Sequence, residues 1–428
     1  MLKSIFIQNW NRRRSNAWIT IELVLVFFLV WYITDYLFVL EYNRHIPDYR
    51  DLRNTWQIEM AEYPDAYSQY RAEESAGEAR HENFARILQT LRNYPGVEAV
   101  AVSYNGSEPG TGSYWGAVAK NAADTTLETG GQVINSDPEG DFFRVFAYTT
   151  GRGRQTVSAH DFDAARPNGV VLGQMTADRL FPDGHATGKE ITLYDGQLFT
   201  VTGVVDNIKR FDYRRPQNAF YIFTRRDTHD LANASISIRS SATAGAAFAE
   251  TFKREMTDRL QIGNFYLKGI VAYTEIAADT AVMFGVSNDI RVKVYLMMFF
   301  LLNILLCVTG TFWYRVNTRR EEIGIRKAAG SSASGIRRLL LTEGLCLLVV
   351  AALPAMLIEY QFVRAGLIET MGYDAGTLAN YLPDRMHLRF LITNGITCVV
   401  MGVVILAAIG LPAGRASVLR PAEGLHYE

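Results

Sequence analysis

Four apolar stretches decide what this chain can become. Residues 17–40, 292–314, 339–360 and 390–412 are each close to the roughly 20 residues a helix needs to cross a bilayer. Hydrocarbon cannot satisfy backbone polar groups, so each stretch is expected to be a transmembrane helix. The first follows MLKSIFIQNWNRRRSN, where Ile5, Trp10 and Arg12 to Arg14 suit a short amphipathic helix over residues 1–16 on an anionic membrane surface. A basic lead can imitate a secretion signal. Here the apolar run continues through Tyr36, Phe38 and Leu40 and no small-residue cleavage site follows, so it reads as a retained anchor with the N-terminus inside.

The average composition, 49% hydrophobic with a net charge of -1, hides a split. Apolar residues concentrate in the four blocks, and most of the charge lies between the first and second. The near-neutral balance gives no reason to expect nucleic acid, and the basic residues flank the membrane. Residues 41–291, roughly 250 in number, are enough for a core of their own. Within them, 41–92 reads as mostly helical, Val97 to Ser103 as a strand, and the Gly/Ser-rich 104–135 as an exposed loop or loose hairpin.

FFRVFAYTT, GVVLGQMTADRLF, KEITLY, LFTVTGVVDNI, NAFYIFT and ASISIRS then look strand-like, and the alternation in QLFTVTGVV predicts a half-buried sheet. An amphipathic helix over Ala246 to Leu260 and a strand over Phe265 to Ala272 follow. The expected fold is an α-helical membrane protein with four spans. A large α+β extracytoplasmic domain of two subdomains lies between spans one and two.

Several chemistries are set aside. GHATGKE has too short a glycine spacing for a phosphate loop, and Glu190 stands where Ser or Thr must ligate magnesium. The chain is therefore read as a non-enzyme that binds no nucleotide, cofactor or metal of its own. Cys307, Cys346 and Cys398 all fall in spans, which leaves the outer domain without disulfides. His160, Asp161 and Asp163 are neighbours in AHDFD, but lone sequence proximity is weak grounds for a metal site. Glu22 sits in the first span, where an ionisable group is costly, and reads as solvated near the cytoplasmic interface. Pro354 is expected to kink the third span, and Gly395, Gly402, Ala407, Ala408 and Gly410 to give the fourth a close-packing face. Residues 361–389 read as a short outer loop, and 413–428 as a cytoplasmic tail carrying Arg415 and Arg420.

The densest positive charge lies over residues 315–338, where Arg315, Arg319, Arg320, Arg326, Lys327, Arg337 and Arg338 join spans two and three. A short Lys/Arg-rich loop between spans marks the cytoplasmic side. Thr318 followed by Glu321 and Glu322 signals a helix start, Gly330 a helix end, and the serines after it a second start. The expectation is a short helix held flat at the membrane face.

REEIGIRKAAGSSASGIRRLLLTEG resembles the corresponding loop of MacB/FtsX-type ABC transporter permeases, with Glu322 to Ala328, Gly330, Ser332, Ile336 and Glu343 in matching places. Ala329 and Ser331 depart from it slightly. GLPAGRASVLRPAEGLHYE resembles the family's ending. DPEGDFFRVFAYTTGRG, VVLGQMTADRLFP and FTVTGVVDN resemble its periplasmic core, with Asp206-Asn207 as a departure.

The resemblance implies a bacterial inner-membrane permease subunit with both termini cytoplasmic, a dimer with itself or a related permease. A separate cytoplasmic ABC ATPase would carry the ATP and magnesium. Arg319, Arg320, Glu321, Glu322, Gly324, Arg326, Lys327 and Gly330 would form the coupling element, with Gly324 and Gly330 setting its turn. Helical stalks near residues 36–60 and 275–293 would carry motion outward to drive efflux, lipoprotein release or envelope-enzyme control, with periplasmic or outer-membrane partners. The competing reading is a membrane-anchored receptor or scaffold without an ATPase, which would not need the third and fourth spans.

Overall fold

The structure is a computed structural model that describes residues 13–106, 108–113, 115–194, 196–224, 231–245, 247–367 and 386–418. Most of the expected N-terminal amphipathic helix, most of the outer loop 361–389 and the tail beyond Val418 lie outside the described residues. The chain divides into two units: a helical one from residues up to Tyr42 and from Gly285 on, and a second over Asn43–Phe284.

The chain starts with helix α1 (Arg13–His45). Strand β1 (Thr55–Glu62), α2 (Gly77–Arg92) and β2 (Val97–Tyr104) follow. Next come β3 (Gly116–Asn121), β4 (Glu128–Ser136), the one-turn α3 (Phe142–Val145) and a small hairpin of β5 (Thr149–Thr150) and β6 (Gln155–Thr156). Then come β7 (Gly169–Gly173), α4 (Gln174–Leu180), β8 (Glu190–Leu193), β9 (Gln197–Val205), β10 (Ala219–Phe223), β11 (Ala234–Ser240), α5 (Phe248–Met256), β12 (Phe265–Ala272) and α6 (Tyr273–Met283). The chain then continues as α7 (Val286–Thr318), α8 (Arg320–Ala328), α9 (Ala333–Arg364) and α10 (Met386–Val418).

In the second unit β2, β11, β1 and β12 pair antiparallel in that order, so β1-α2-β2 and β11-α5-β12 interlock as two split βαβ halves. Phe84, Ile87, Leu88 and Leu91 recur at helical spacing along α2. They close this sheet's core with Phe248, Phe252 and Met256 of α5.

Between the halves, β4, β3, β8, β9, β7 and β10 pair in sequence, and β10 returns to β4 in parallel register, so six strands close on themselves. The period of two is visible in what fills the ring: Val170 and Leu172, Ile191 and Leu193, Phe199 and Val201, Phe220 and Ile222 all share one cluster. Val171, Tyr221 and Ile134 face the other way, onto the aromatic residues of α3. These are the two expected subdomains.

Several local expectations are corrected. Residues 41–92 are not mostly helical: α1 stops at His45, and Trp56, Ile58 and Met60 alternate along β1, which pairs on both sides. The first expected stalk is therefore helical only to His45, and its last residues lie in β1. The second is interrupted at Phe284 and Gly285, the glycine at φ +73° between α6 and α7. FFRV is a helical turn, because the Asp141 carboxylate accepts from Arg144 N at 3.1 Å and caps it. Its aromatics are buried without alternation because they plug a cluster. QMTADRL after β7 is likewise helix, not strand. The glycine-rich stretch before Ser136, expected as an exposed loop or loose hairpin, is the hairpin, β3 paired antiparallel with β4, but it is built into the ring and β4 is largely buried. A Cβ on Gly131 would stand 2.8 Å from Asn218 O, so this glycine marks close approach of backbone.

In the helical unit α1, α7, α9 and α10 are each long and apolar enough to cross a membrane. Ile19, Leu23, Phe27, Ile304, Val308, Phe312, Leu348, Ala351, Ala355 and Ile405 belong to one core. Among the described glycines of this unit the tightest fit is at Gly344 of α9, where an added Cβ would meet Ile409 Cδ1 of α10 at 2.0 Å. Of the expected small-residue face of the fourth span, Ala408 is buried in this core and its carbonyl accepts from Thr309 Oγ1 of α7 at 3.1 Å, whereas a Cβ at Gly395 or Gly410 would meet nothing within 4 Å among the described residues. Glu22 is not simply solvated: its carboxylate accepts from the Cys307 thiol of α7 at 2.9 Å.

Candidate functional site: a clamped helix between two spans

A single residue, Arg319, separates α7 from α8. Thr318 does not cap it. Its hydroxyl donates back to Tyr314 O and Arg315 O, and Arg319 stands at the N-cap without a side-chain cap bond. The far end follows the expected glycine stop: Ser331 N donates to Arg326 O and Gly330 N to Lys327 O, with Gly330 at φ +91°. Ser332 then caps α9 by accepting from Gly335 N at 3.1 Å. Gly324 lies buried inside α8, so it sets no turn and instead allows close packing of the helix flank.

What fixes this helix is a chain of five charges. Arg315 Nη1 donates to Glu343 Oε1 at 3.1 Å, and Arg319 Nη1 to Glu343 Oε2 at 2.9 Å. Arg319 Nε also donates to Glu322 Oε2 at 2.9 Å, and Arg326 Nη2 to Glu322 Oε1 at 2.9 Å. The network joins α7, α8 and α9. The hydrogen bond from Arg319 holds the Glu322 carboxyl below the ordinary glutamate range. Burial works against the charge on Arg319, but the bonds and charges of Glu322 and Glu343 outweigh it and raise its affinity for the proton.

Lys327 Nζ donates to Ser417 O at 2.7 Å and so ties α8 to the end of α10. Arg320 Nη2 donates to Asn317 Oδ1 at 2.9 Å. Arg320 also lines an open groove of about 490 Å³ with Trp313, Pro412 and Arg415, whose guanidinium lies 4.3 Å from the Trp313 ring centre.

The sequence-chosen residues therefore separate. Arg319, Glu322, Arg326 and Lys327 hold the helix, Gly324 packs it and Gly330 ends it. Glu321 is exposed, and it shares a face at helical spacing with Ile325 and Ala328. Ile325 is 58% exposed and was missed, as were Arg315 and Glu343 as network members. The signal was present: Ile323 and Ile325 are two apart, so one of them must point away from the core that buries the other.

His160, Asp161 and Asp163 make no centre. Asp161 Oδ2 accepts from Ser158 N in a capping box, and no group of three metal-ligating residues occurs among the described residues. The departure at Asp206 also has a role, because its carboxylate accepts from Thr149 Oγ1, Arg152 N and Gly153 N and pins the turn between β5 and β6.

Fold and site together define a multipass membrane protein with an α/β extracytoplasmic domain and a charge-clamped helix between two spans. The sequence matches the MacB-like periplasmic core domain over residues 42–259 and the FtsX-like permease C-terminal region over 294–418. This chain belongs to the MacB/FtsX-type ABC transporter permeases. Membership implies a cytoplasmic ABC ATPase as partner.

No protein of curated function matches it. Among solved structures, the periplasmic region of MacB from Actinobacillus actinomycetemcomitans is 14% identical, at 53% of this chain and 92% of that one, with a TM-score of 0.32. The extracellular domain of the noncanonic ABC-type transporter YknZ from Gram-positive bacteria is 16% identical, at 50% and 100%, with a TM-score of 0.29. A permease-protein domain from Porphyromonas gingivalis is 12% identical, at 52% and 91%, with a TM-score of 0.32. Scores this low add nothing to the family assignment.

Proposed function

We propose that this permease converts ATP hydrolysis by a separate cytoplasmic ATPase into movement of its extracytoplasmic domain. The ATPase, carrying ATP and magnesium, docks on α8 from the cytoplasm. The chain itself binds no cofactor and performs no catalysis. Two permease copies, or this chain and a related one, work as a pair in the bacterial inner membrane with both termini inside. The output is mechanical and serves efflux, lipoprotein release or control of an envelope enzyme through periplasmic or outer-membrane partners.

The observation that carries this reading is the two-sidedness of α8. One side is fixed to two spans by buried charges, and the other offers Glu321, Ile325 and Ala328 to the surroundings. A partner pressing on a helix fixed in this way displaces the spans rather than bending the helix. A small apolar centre with charged neighbours suits a reversible, register-specific interface. Co-purification of the permease with a candidate ATPase in nanodiscs tests it. The wild type is expected to bind and to modulate turnover, and a Glu321→Arg/Ile325→Asp double variant to lose both. A wild type that binds no ABC ATPase, or a variant indistinguishable from it, overturns the reading.

A further inference from the structure

The chain enters the extracytoplasmic unit at Asn43 and leaves it at Phe284. One short segment, residues 209–213 between β9 and β10, touches both places. Lys209 is 2% exposed, and its ammonium donates to Asn43 O at 3.1 Å, Arg44 O at 3.2 Å and Asp212 O at 3.3 Å. The first two carbonyls belong to the last turn of α1, where helix carbonyls lack intrahelical partners and the macrodipole favours a cation.

The neighbours reinforce this grip. Lys209 N donates to Asp48 Oδ1 at 3.1 Å, Asn43 Nδ2 to Tyr213 O at 3.2 Å, and Arg50 Nη2 to Arg210 O at 3.3 Å. On the other side the Phe211 ring stacks on Tyr213 at 5.3 Å and meets Phe284 edge-on at 5.9 Å. Arg210 Nη2 donates to Gly112 O and Ser113 O at 2.7 and 2.6 Å. Burial disfavours the charge of Lys209, with Asp48 and Asp212 in partial compensation. Simple filling of space would not require an ammonium. Three carbonyl acceptors converging on one nitrogen do.

We infer that residues 209–213 are the element through which movement of α1 enters the extracytoplasmic domain, with Lys209 as the positioning residue at the helix end. This rests on the mechanical reading above and names where the motion crosses into the domain.

The test uses the full permease with its ATPase in nanodiscs. It reads ATPase turnover and nucleotide-dependent hydrogen exchange in β1 and β12 together. In the wild type, nucleotide is expected to change protection in those strands. Lys209→Met is expected to keep the complex and its turnover while the protection change falls by about five-fold or more, the lower end of typical coupling factors. A purely structural lysine would lower protection equally with and without nucleotide and leave the difference between them intact. That result overturns the inference. Should Lys209→Met not assemble, Phe211→Leu and Asn43→Ala leave the lysine in place and are read the same way. A wild type that forms no ATPase complex, or shows no nucleotide response, instead sinks the mechanical reading on which this one stands.

Discussion

Arg319, between α7 and α8, and Glu343 of α9 are bonded at 2.9 Å, and each side chain is only 8% exposed. Glu343 also receives Arg315, so a single carboxylate balances two guanidinium groups from the preceding span and its end. Removing it takes away the buried acceptor that both guanidinium groups share, while Arg319 keeps its bond to Glu322. Glu343→Ala is therefore expected to destabilise the helical unit by about 3–5 kcal/mol, the range for breaking a buried pair. Thermal unfolding in nanodiscs, followed by far-ultraviolet circular dichroism, checks this. A midpoint within error of wild type contradicts the clamp.

Acid should loosen α8 in a defined direction. The folded-state pKa of Glu322 lies below its ordinary value of 4.5, held there chiefly by the bond from Arg319. A depressed carboxylate contributes stability above its unfolded pKa and loses it as pH falls through the folded one. The melting midpoints of wild type and Glu322→Gln should thus differ by a constant amount at neutral pH and converge below 4.5. A gap that widens on acidification would mean the opposite sign.

The exposed face of α8 should be separable from its clamp. Ile325→Asp changes a residue that is mostly in the open, and surface changes usually move stability by less than about 0.5 kcal/mol. Partner affinity should drop by more than about 1 kcal/mol if Ile325 anchors the interface. Binding titrations against the ATPase, beside a melting curve, distinguish these effects. Loss of folding without loss of affinity would remove Ile325 from the interface.

A second polar group lies among the spans. Asp35 of α1 and Arg389 of α10 are buried partners, and Arg389 Nε donates to Asp35 Oδ1 at 2.8 Å. Glu359 of α9 is fully buried beside Asn394 but outside hydrogen-bonding geometry. The two sites should respond oppositely. Arg389→Ala is expected to cost about 3–5 kcal/mol by removing the guanidinium that pairs with the buried Asp35 carboxylate. Glu359→Gln removes a carboxylate that has no hydrogen-bond partner among the described residues and should leave the midpoint unchanged or higher. A large loss in Glu359→Gln would show that the carboxylate has a bonded partner.

Packing at Gly344 gives the sharpest steric expectation. A Cβ there meets the Cδ1 tip of Ile409, so Gly344→Val should cost about 1–3 kcal/mol by forcing that side chain out of its packed rotamer. Combining it with Ile409→Ala should recover part of the loss. An additive double variant would place the clash elsewhere.

What the sequence made legible follows from how local each signal is. The four spans depend on length and apolarity alone, and β12 over Phe265 to Ala272 carries its own alternation. The end of α8 was readable because only glycine adopts φ +91° easily there. The roles of Glu322 and Arg319 were not readable, since inward or outward orientation depends on Glu343, which lies more than twenty positions away on another helix. The closing of six strands was hidden for the same reason. Its last pairing, β10 with β4, joins Phe220 to Val133 across a long stretch of chain, with no short-range trace. FFRV misled because two adjacent phenylalanines suit a strand as well as a turn, and only the Asp141 cap decides between them.

β1 and β12 lie side by side, with Trp56 opposite Ala272. The polypeptide therefore begins and finishes its outer domain at neighbouring points, and everything between, including the six-stranded ring, hangs from that one seam. An architecture of this kind works as a cassette. Closely spaced ends tolerate insertion or enlargement of what lies between them.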